Sequence, residues 1–123
     1  MSVTQDGGRI TLAAGADLSA KQYYIVKDSS GTAVLASAAT DKILGVIENA
    51  PVSGDTAVVV TRNKSGTFKV KAGGVIAVGD KLTSDSAGKA VATTTGGDQV
   101  FGIARKVAAD GDITEYLPVF EVV

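Results

Sequence analysis

Side chains able to do chemistry are few in this chain, and those present are the less reactive kinds. There is no Cys and no His. A thiolate nucleophile, a thiolate metal site, the commonest general base and the commonest metal ligand are therefore all missing. What remains is Asp, Glu, Lys, Ser, Thr and Tyr in a few suggestive spacings. Gly74-Val75-Ile76-Ala77-Val78-Gly79-Asp80-Lys81 has the outline of a phosphate loop. Its second glycine is followed by Asp80 where that motif needs Lys, and no helical pattern follows, so a carboxylate would face the phosphate. Asp110-Gly111-Asp112, with Asp98 and Glu115 near it in sequence, starts like a calcium loop but lacks the rest of the ligand set. Gly54-Asp55 occupies the matching place 57 residues earlier, which points to turn chemistry. Without His no familiar serine triad forms, and no S-x-x-K is accompanied by its supporting motifs; Ser84 and Lys89 read as hairpin residues. A carboxylate pair for glycoside hydrolysis needs an aromatic-lined cleft, and three Tyr, three Phe and no Trp are poor material for one. Asn63-Lys64-Ser65 fits the short glycosylation pattern, which recurs by accident. The reading is a protein with no catalytic residues, no cofactor and no metal.

Charge is more informative. The chain of 123 residues has 12 basic and 13 acidic residues, a net charge of −1. A general nucleic-acid binder carries a basic excess, so none is expected here. No run approaches the roughly 20 apolar residues of a spanning helix, and no membrane partner is expected. The start, M-S-V-T-Q-D-G-G-R, lacks the apolar core of a signal peptide, so export would need some other route. From Thr56 to Gly79 there is no acidic residue, while Arg62, Lys64, Lys69 and Lys71 all lie there. Two readings stay open: a solvated strand face, or a basic stripe meeting an acidic surface on a partner or a sister subunit.

The elements that must carry these residues are short. Apolar residues make up 45% of the chain and aromatics only 5%, so the core is mostly Val, Ile, Leu and Ala. Such a core has fewer large contacts, and self-association is one way to gain buried area. The spacing predicts strands over 9–13, 23–27, 32–36, 43–47, 57–61, 67–71, 81–84, 89–93, 99–107 and 113–122, separated by turns rich in Gly, Asp and Ser. Nowhere do 10 to 12 residues show a 3.6 period. Tyr23 and Tyr24, as neighbours in a strand, would point to opposite faces. Pro118 in the last strand suits an edge or a bulge.

A repeat organises the whole. Asp28, Gly31, Ala33, Val34, Asp41, Gly45, Gly54 and Asp55 recur as Asp85, Gly88, Ala90, Val91, Asp98, Gly102, Gly111 and Asp112, each 57 residues on. Ile25 falls on Leu82 and Leu44 on Phe101. A match that keeps turn and apolar residues in step is an internal duplication. A glycine needed twice, at 45 and 102, reflects fold geometry and not a ligand. The fold class expected is all-β: a small β-barrel or sandwich of two repeated β units, about 14–70 and 71–123, forming one β domain over 9–123 behind an N-terminal arm of residues 1–8.

Gly79 to Ala92 (G-D-K-L-T-S-D-S-A-G-K-A-V-A), Val100 to Ala104 (V-F-G-I-A) and Ala108 to Val119 (A-A-D-G-D-I-T-E-Y-L-P-V) resemble the C-terminal half of tailed-bacteriophage capsid decoration proteins, also called head-stabilising or cement proteins. The last 45 or so residues carry the likeness directly, and the first half carries it through the repeat. The resemblance implies a small all-β structural protein, often a homotrimer, on the outer surface of the capsid in the virion. Its partners would be the major capsid protein and itself, and its work capsid stabilisation by bridging neighbouring subunits. Candidate capsid or subunit contacts, inferred from the residues themselves, are Ser2, Val3, Thr4, Gln5 and Asp6 of the arm, Tyr23 and Tyr24, and the cations Arg62, Lys64, Lys69 and Lys71. The arm either orders on the capsid by joining an exposed strand edge or stays disordered. The rival function is a β-rich virion surface module that binds carbohydrate, adhesin-like, which the scarcity of aromatic rings disfavours.

Overall fold

The computed structural model describes residues 8–123, and over them the regular structure consists of strands. In chain order these are β1 (Arg9–Ala14), β2 (Ile25–Ser29), β3 (Thr32–Leu35), β4 (Ile43–Ile47), β5 (Thr56–Thr61), β6 (Phe68–Lys71), β7 (Lys81–Ser84), β8 (Ala90–Ala92), β9 (Gln99–Ala104) and β10 (Ile113–Val122). Val-rich runs and Asp/Ser/Gly turns produce this pattern: branched side chains suit a pleated surface, and the turns reverse it every few residues. At the β2–β3 turn both Ser30 (φ 52°) and Gly31 (φ 86°) are left-handed, as a tight two-residue hairpin requires.

The first five strands close into a barrel in the order β1-β3-β2-β4-β5, with β5 returning to β1. The second five form a sheet in the order β6-β10-β9-β7-β8. One parallel bridge, Ala72 to Ala90, touches its two ends together. The expected boundary near residue 70 is corrected here: Phe68–Lys71 pairs with β10, so β6 belongs with the second set of strands.

Hydrogen bonds refine the repeat. The Ala14 amide donates to the Asp55 carbonyl and the Gly54 amide to the Ala14 carbonyl; Ala72, Asp112 and Gly111 make the same pair of bonds. Gly15 to Ala33 is echoed by Gly73 to Ala90, and Leu18 to Pro51 by Ile76 to Ala108. β1 thus maps onto β6 with a shift of 58, and β3, β4 and β5 map onto β8, β9 and β10 with a shift of 57. β2 maps onto β7 with a shift of 56, so Val26, and not Ile25, is the counterpart of Leu82. The loop before β7 is shorter than the one before β2, and the hairpin after it is longer, closed by the Asp85 amide on the Lys89 carbonyl. The two length changes nearly cancel, which is why a gapless match spans them.

The interiors match as well. Ala14, Leu18, Val26, Ala33, Ile47 and Val59 fill the barrel. Ala72, Ile76, Leu82, Ala90, Ala104 and Tyr116 hold the same places in the second unit, where Phe101 replaces Leu44. Ile25, Ile43, Val46 and Ala36 belong to the first five strands or their loops but are buried in the core of the second, which joins the units through apolar contact. Each of the two Ile and the Val contributes about 1.5–3 kcal/mol by burial, and Ala36 about 0.8 kcal/mol. Gly45 and Gly102 are demanded by this packing. A Cβ on Gly45 would lie 2.0 Å from the Val60 carbonyl oxygen, and one on Gly102 would lie 2.3 Å from the Tyr116 ring. Pro118 sits where β10 runs past the end of β6 and its register with β9 shifts, so both an edge and a bulge accommodate it.

Candidate functional site

The carboxylates singled out for chemistry are engaged in turns. Asp28 accepts from the Gly31 amide at 2.8 Å, and Asp85 from the amides of Ala87 and Lys89 at 2.8 and 2.9 Å. Asp80 accepts from Ala77 at 2.9 Å, and Asp112 from Ala109 at 3.0 Å. Asp80, the misfit in the phosphate-loop outline, is thus a turn brace. Asp110, three residues from the Lys106–Val107 loop, lies 3.7 Å from Lys89. Asp41 accepts from the Ser37 amide at 2.8 Å and from Lys27 at 3.1 Å. The Ser37 bond, ahead of the Lys27 charge, holds its carboxyl below the ordinary range. Among the described residues no group of three acidic, Cys or His side chains is placed to share a metal ion. Among the described residues no nucleophile and base are brought together at a substrate site.

Arg62 departs most from the sequence reading. It was placed on a basic surface stripe, but only 4% of it is exposed. Its Nη1 donates to the Ile43 carbonyl and Gln99 Oε1, both at 3.1 Å, and its Nη2 to the carbonyls of Val100 (2.8 Å) and Glu121 (3.0 Å). The guanidinium lies 3.9 Å from the centre of the Phe120 ring, and Nε has no partner among the described residues. Burial pushes its pKa down. A planar fork of donors is suited to several carbonyls at once, and here it ties β4 to β9 and β10.

Tyr23 and Tyr24 also differ from expectation. They precede β2 in a turn, with Tyr23 left-handed at φ 70°. They do diverge: Tyr23 packs on the second core, edge-on to Phe68 at 5.9 Å, while Tyr24 packs on the barrel core under the Lys21 ammonium, 4.9 Å from its ring centre. The aromatic series continues inward from Phe68 to Tyr116 (6.4 Å) and Phe101 (5.0 Å). Burial raises the Tyr116 phenol pKa.

Lys69 and Lys71 are the two stripe residues that share a face. They lie on β6, opposite Glu115 and Ile113 of β10. Lys64 is half-buried elsewhere, its Nζ on the Ser65 carbonyl at 2.8 Å. Around β6 three adjoining concavities bring Tyr23, Tyr24, Lys69 and Lys71 together. The first, about 360 Å³, has Tyr23 and Phe68 beside Lys69, Lys106 and Glu115. Lys106, Val107 and Ile113 complete the face and were not singled out from the sequence, because the stretch that joins them lies outside the acid-free segment. Ser2, Val3, Thr4, Gln5 and Asp6 lie outside the described residues. Gly8, assigned to the arm, is fixed to the body: its carbonyl accepts from the Thr61 amide at 3.0 Å.

A family model described as phage cement protein matches residues 3–117. It extends over nearly the whole chain a likeness that the sequence showed mainly in its last 45 or so residues. Among solved structures the chain is similar to the head fiber gp8.5 N base of bacteriophage phi29, with a TM-score of 0.70 and 24% identity over 94% of this chain and 96% of that one. At that identity the likeness speaks for the fold. No curated protein matches.

Proposed function

This chain belongs to the phage cement protein family and is a capsid-associated structural protein of the virion, and from that premise we propose that it docks on the outside of the head and bridges neighbouring major capsid proteins. The observation that carries this reading is the family match over residues 3–117. The structure supports it physically. Two apolar cores share side chains across their junction, and Arg62 ties the units with four hydrogen bonds, so the body can transmit load between contacts. Its described carboxylates serve turns and ion pairs, consistent with mechanical work and no reaction.

We also propose that the working form is a homotrimer. Three linked copies hold a shell through effective concentration, so no single contact has to be tight. The contacts assigned are Tyr23, Tyr24, Lys69 and Lys71 on the β6 face, with residues 1–7 as a second grip; Gly8 is bonded to the body and Lys64 lies away from this face, so neither is included. Arg62 is withdrawn from that set because it is buried.

The test is to mix purified protein with unexpanded and expanded heads of its phage and sediment the particles. Saturable binding to the expanded shell, with a raised temperature of genome release, is the expected result. No binding to either shell, or binding that leaves head stability unchanged, would refute the proposal. A version lacking residues 1–7 should bind less while remaining trimeric; unchanged occupancy would remove the arm from the mechanism.

A further inference from the structure

The duplication supplies an internal control. The two units share the set of hydrogen bonds described above, so a side chain present in one and replaced by a dissimilar one in the other is not required by that shared frame. On the β6 face of the second unit stand Lys69, Lys71, Lys106, Val107 and Ile113, and Val75 adjoins the bridge that holds Val107 in place. Their counterparts in the first unit are Thr11, Ala13, Asn49, Ala50, Thr56 and Asp17. Every cation is replaced by a neutral residue, and every large apolar residue by a small or polar one. The valines are conspicuously uncovered: Val75 is 84% exposed and Val107 75%. They flank the bridge between Ile76 and Ala108, next to Lys106. Exposed apolar groups rimmed by charge mark a protein contact.

Charge says what kind of partner fits. Lys69, Lys71 and Lys106 have no ion-pair or hydrogen-bond partner among the described residues, while Arg9, Lys27, Lys81 and Lys89 each pair with a carboxylate. The carboxylates nearest this face are occupied, Glu115 by the Thr67 hydroxyl and Glu48 by Arg9. Of all the described carboxylates, only Asp55 lacks an intramolecular hydrogen bond or ion pair. Against three unpaired lysines the concavities hold one carboxylate without a cation partner, Glu115, so the face is net positive and suits an acidic partner.

We infer that this face, formed by Lys69, Lys71 and Lys106 with Val75, Val107 and Ile113, docks an acidic segment of the capsid subunit that carries an apolar anchor. The lysines receive its carboxylates, and the valines together with the cleft over Tyr23 and Phe68 receive the anchor. The inference rests on the capsid-binding reading above and names the surface and the partner chemistry it uses.

The test compares affinities for expanded heads. Lys69→Glu with Lys106→Glu should weaken binding roughly 30-fold or more, since like charges would then meet across the contact. Val75→Ser with Val107→Ser should weaken it about tenfold, as loss of an apolar anchor does. Ala13→Glu, at an exposed matching place of the first unit that lines none of the three concavities, should change it less than about twofold. Wild-type affinity should fall with added salt, and less steeply in the Glu variants. Thermal melts confirm that each variant folds. If wild-type protein binds heads and the Glu variant binds equally well, the inference falls and the capsid reading stands; if wild-type protein fails to bind, both fall. If the variants alter the oligomeric state and leave head binding intact, the face belongs to a second copy and the inference is overturned.

Discussion

Replacing Arg62 with Ala tests how the two β units are held together. The substitution removes four hydrogen bonds, to Ile43, Gln99, Val100 and Glu121, and leaves their acceptors behind in a largely dry seam. A hydrogen bond from a charged donor contributes about 1.5–3 kcal/mol, for a gross loss of roughly 6–12 kcal/mol. Against this, the buried guanidinium costs several kcal/mol of desolvation in the native protein, and no carboxylate among the described residues compensates it. Water entering the vacated space will satisfy some of the carbonyls. The net expected loss is about 3–5 kcal/mol, which for a chain of this size lowers the melting temperature by roughly 10–15 °C. Urea unfolding followed by circular dichroism measures it, with the slope checked for two-state behaviour. Arg62→Lys should recover only part of the loss, because one ammonium cannot span acceptors on three strands. A loss below about 1 kcal/mol for Arg62→Ala would refute the reasoning, since it would mean that the bonds do no more than balance the cost of burying the charge.

Two further outcomes follow from particular positions. Gly45→Ala and Gly102→Ala should each destabilise by about 3 kcal/mol or more, because backbone or a packed ring has to move, whereas Gly54→Ala, with open space but φ 86°, should cost about 1–2 kcal/mol; equal losses in urea midpoints would contradict the packing. Asp41 has a folded-state pKa below its unfolded value, so its stabilisation is present above the ordinary carboxylate range and is lost as pH falls through the folded value. Between pH 7 and 3, Asp41→Asn should therefore show a smaller acid loss of stability than wild type, and an unchanged profile would sink that assignment.

Much of the architecture was legible because local chemistry and global fold agree. Ser30-Gly31 announces a hairpin, and the paired glycines at 45 and 102 announce close approaches that the Val60 carbonyl and the Tyr116 ring make real. Pro118 announces an interruption, and the ladder shifts there. Three things were not legible. The gapless repeat hid two compensating changes in loop length, so Ile25 was matched to Leu82 where the ladder matches Val26. Tyr23 looks like a strand residue by type, but the turn before β2 sets it at positive φ, a tertiary demand that overrides propensity. The predicted strand 99–107 stops at Ala104, because Arg105 to Ala108 turns away to form the Ile76 bridge. The site was half legible: Lys69 and Lys71 announce a cationic strand face. Arg62 carries the same charge in the same stretch, and only the three-dimensional seam distinguishes a surface cation from one wedged among carbonyls.

Pro118 also bears on what happens when copies of this chain meet edge to edge. The barrel has no free rim, but β10 outruns β6 and leaves Leu117 to Val122 without a strand neighbour along one margin, where Arg62 holds the Glu121 carbonyl and Phe120 and Val122 stay largely exposed. An open margin of this kind lets neighbouring copies zip together into ribbons. An imino acid placed at the opening of that margin withholds the amide such a zipper would need first. Copies of the chain can thus lie close together without becoming a fibre.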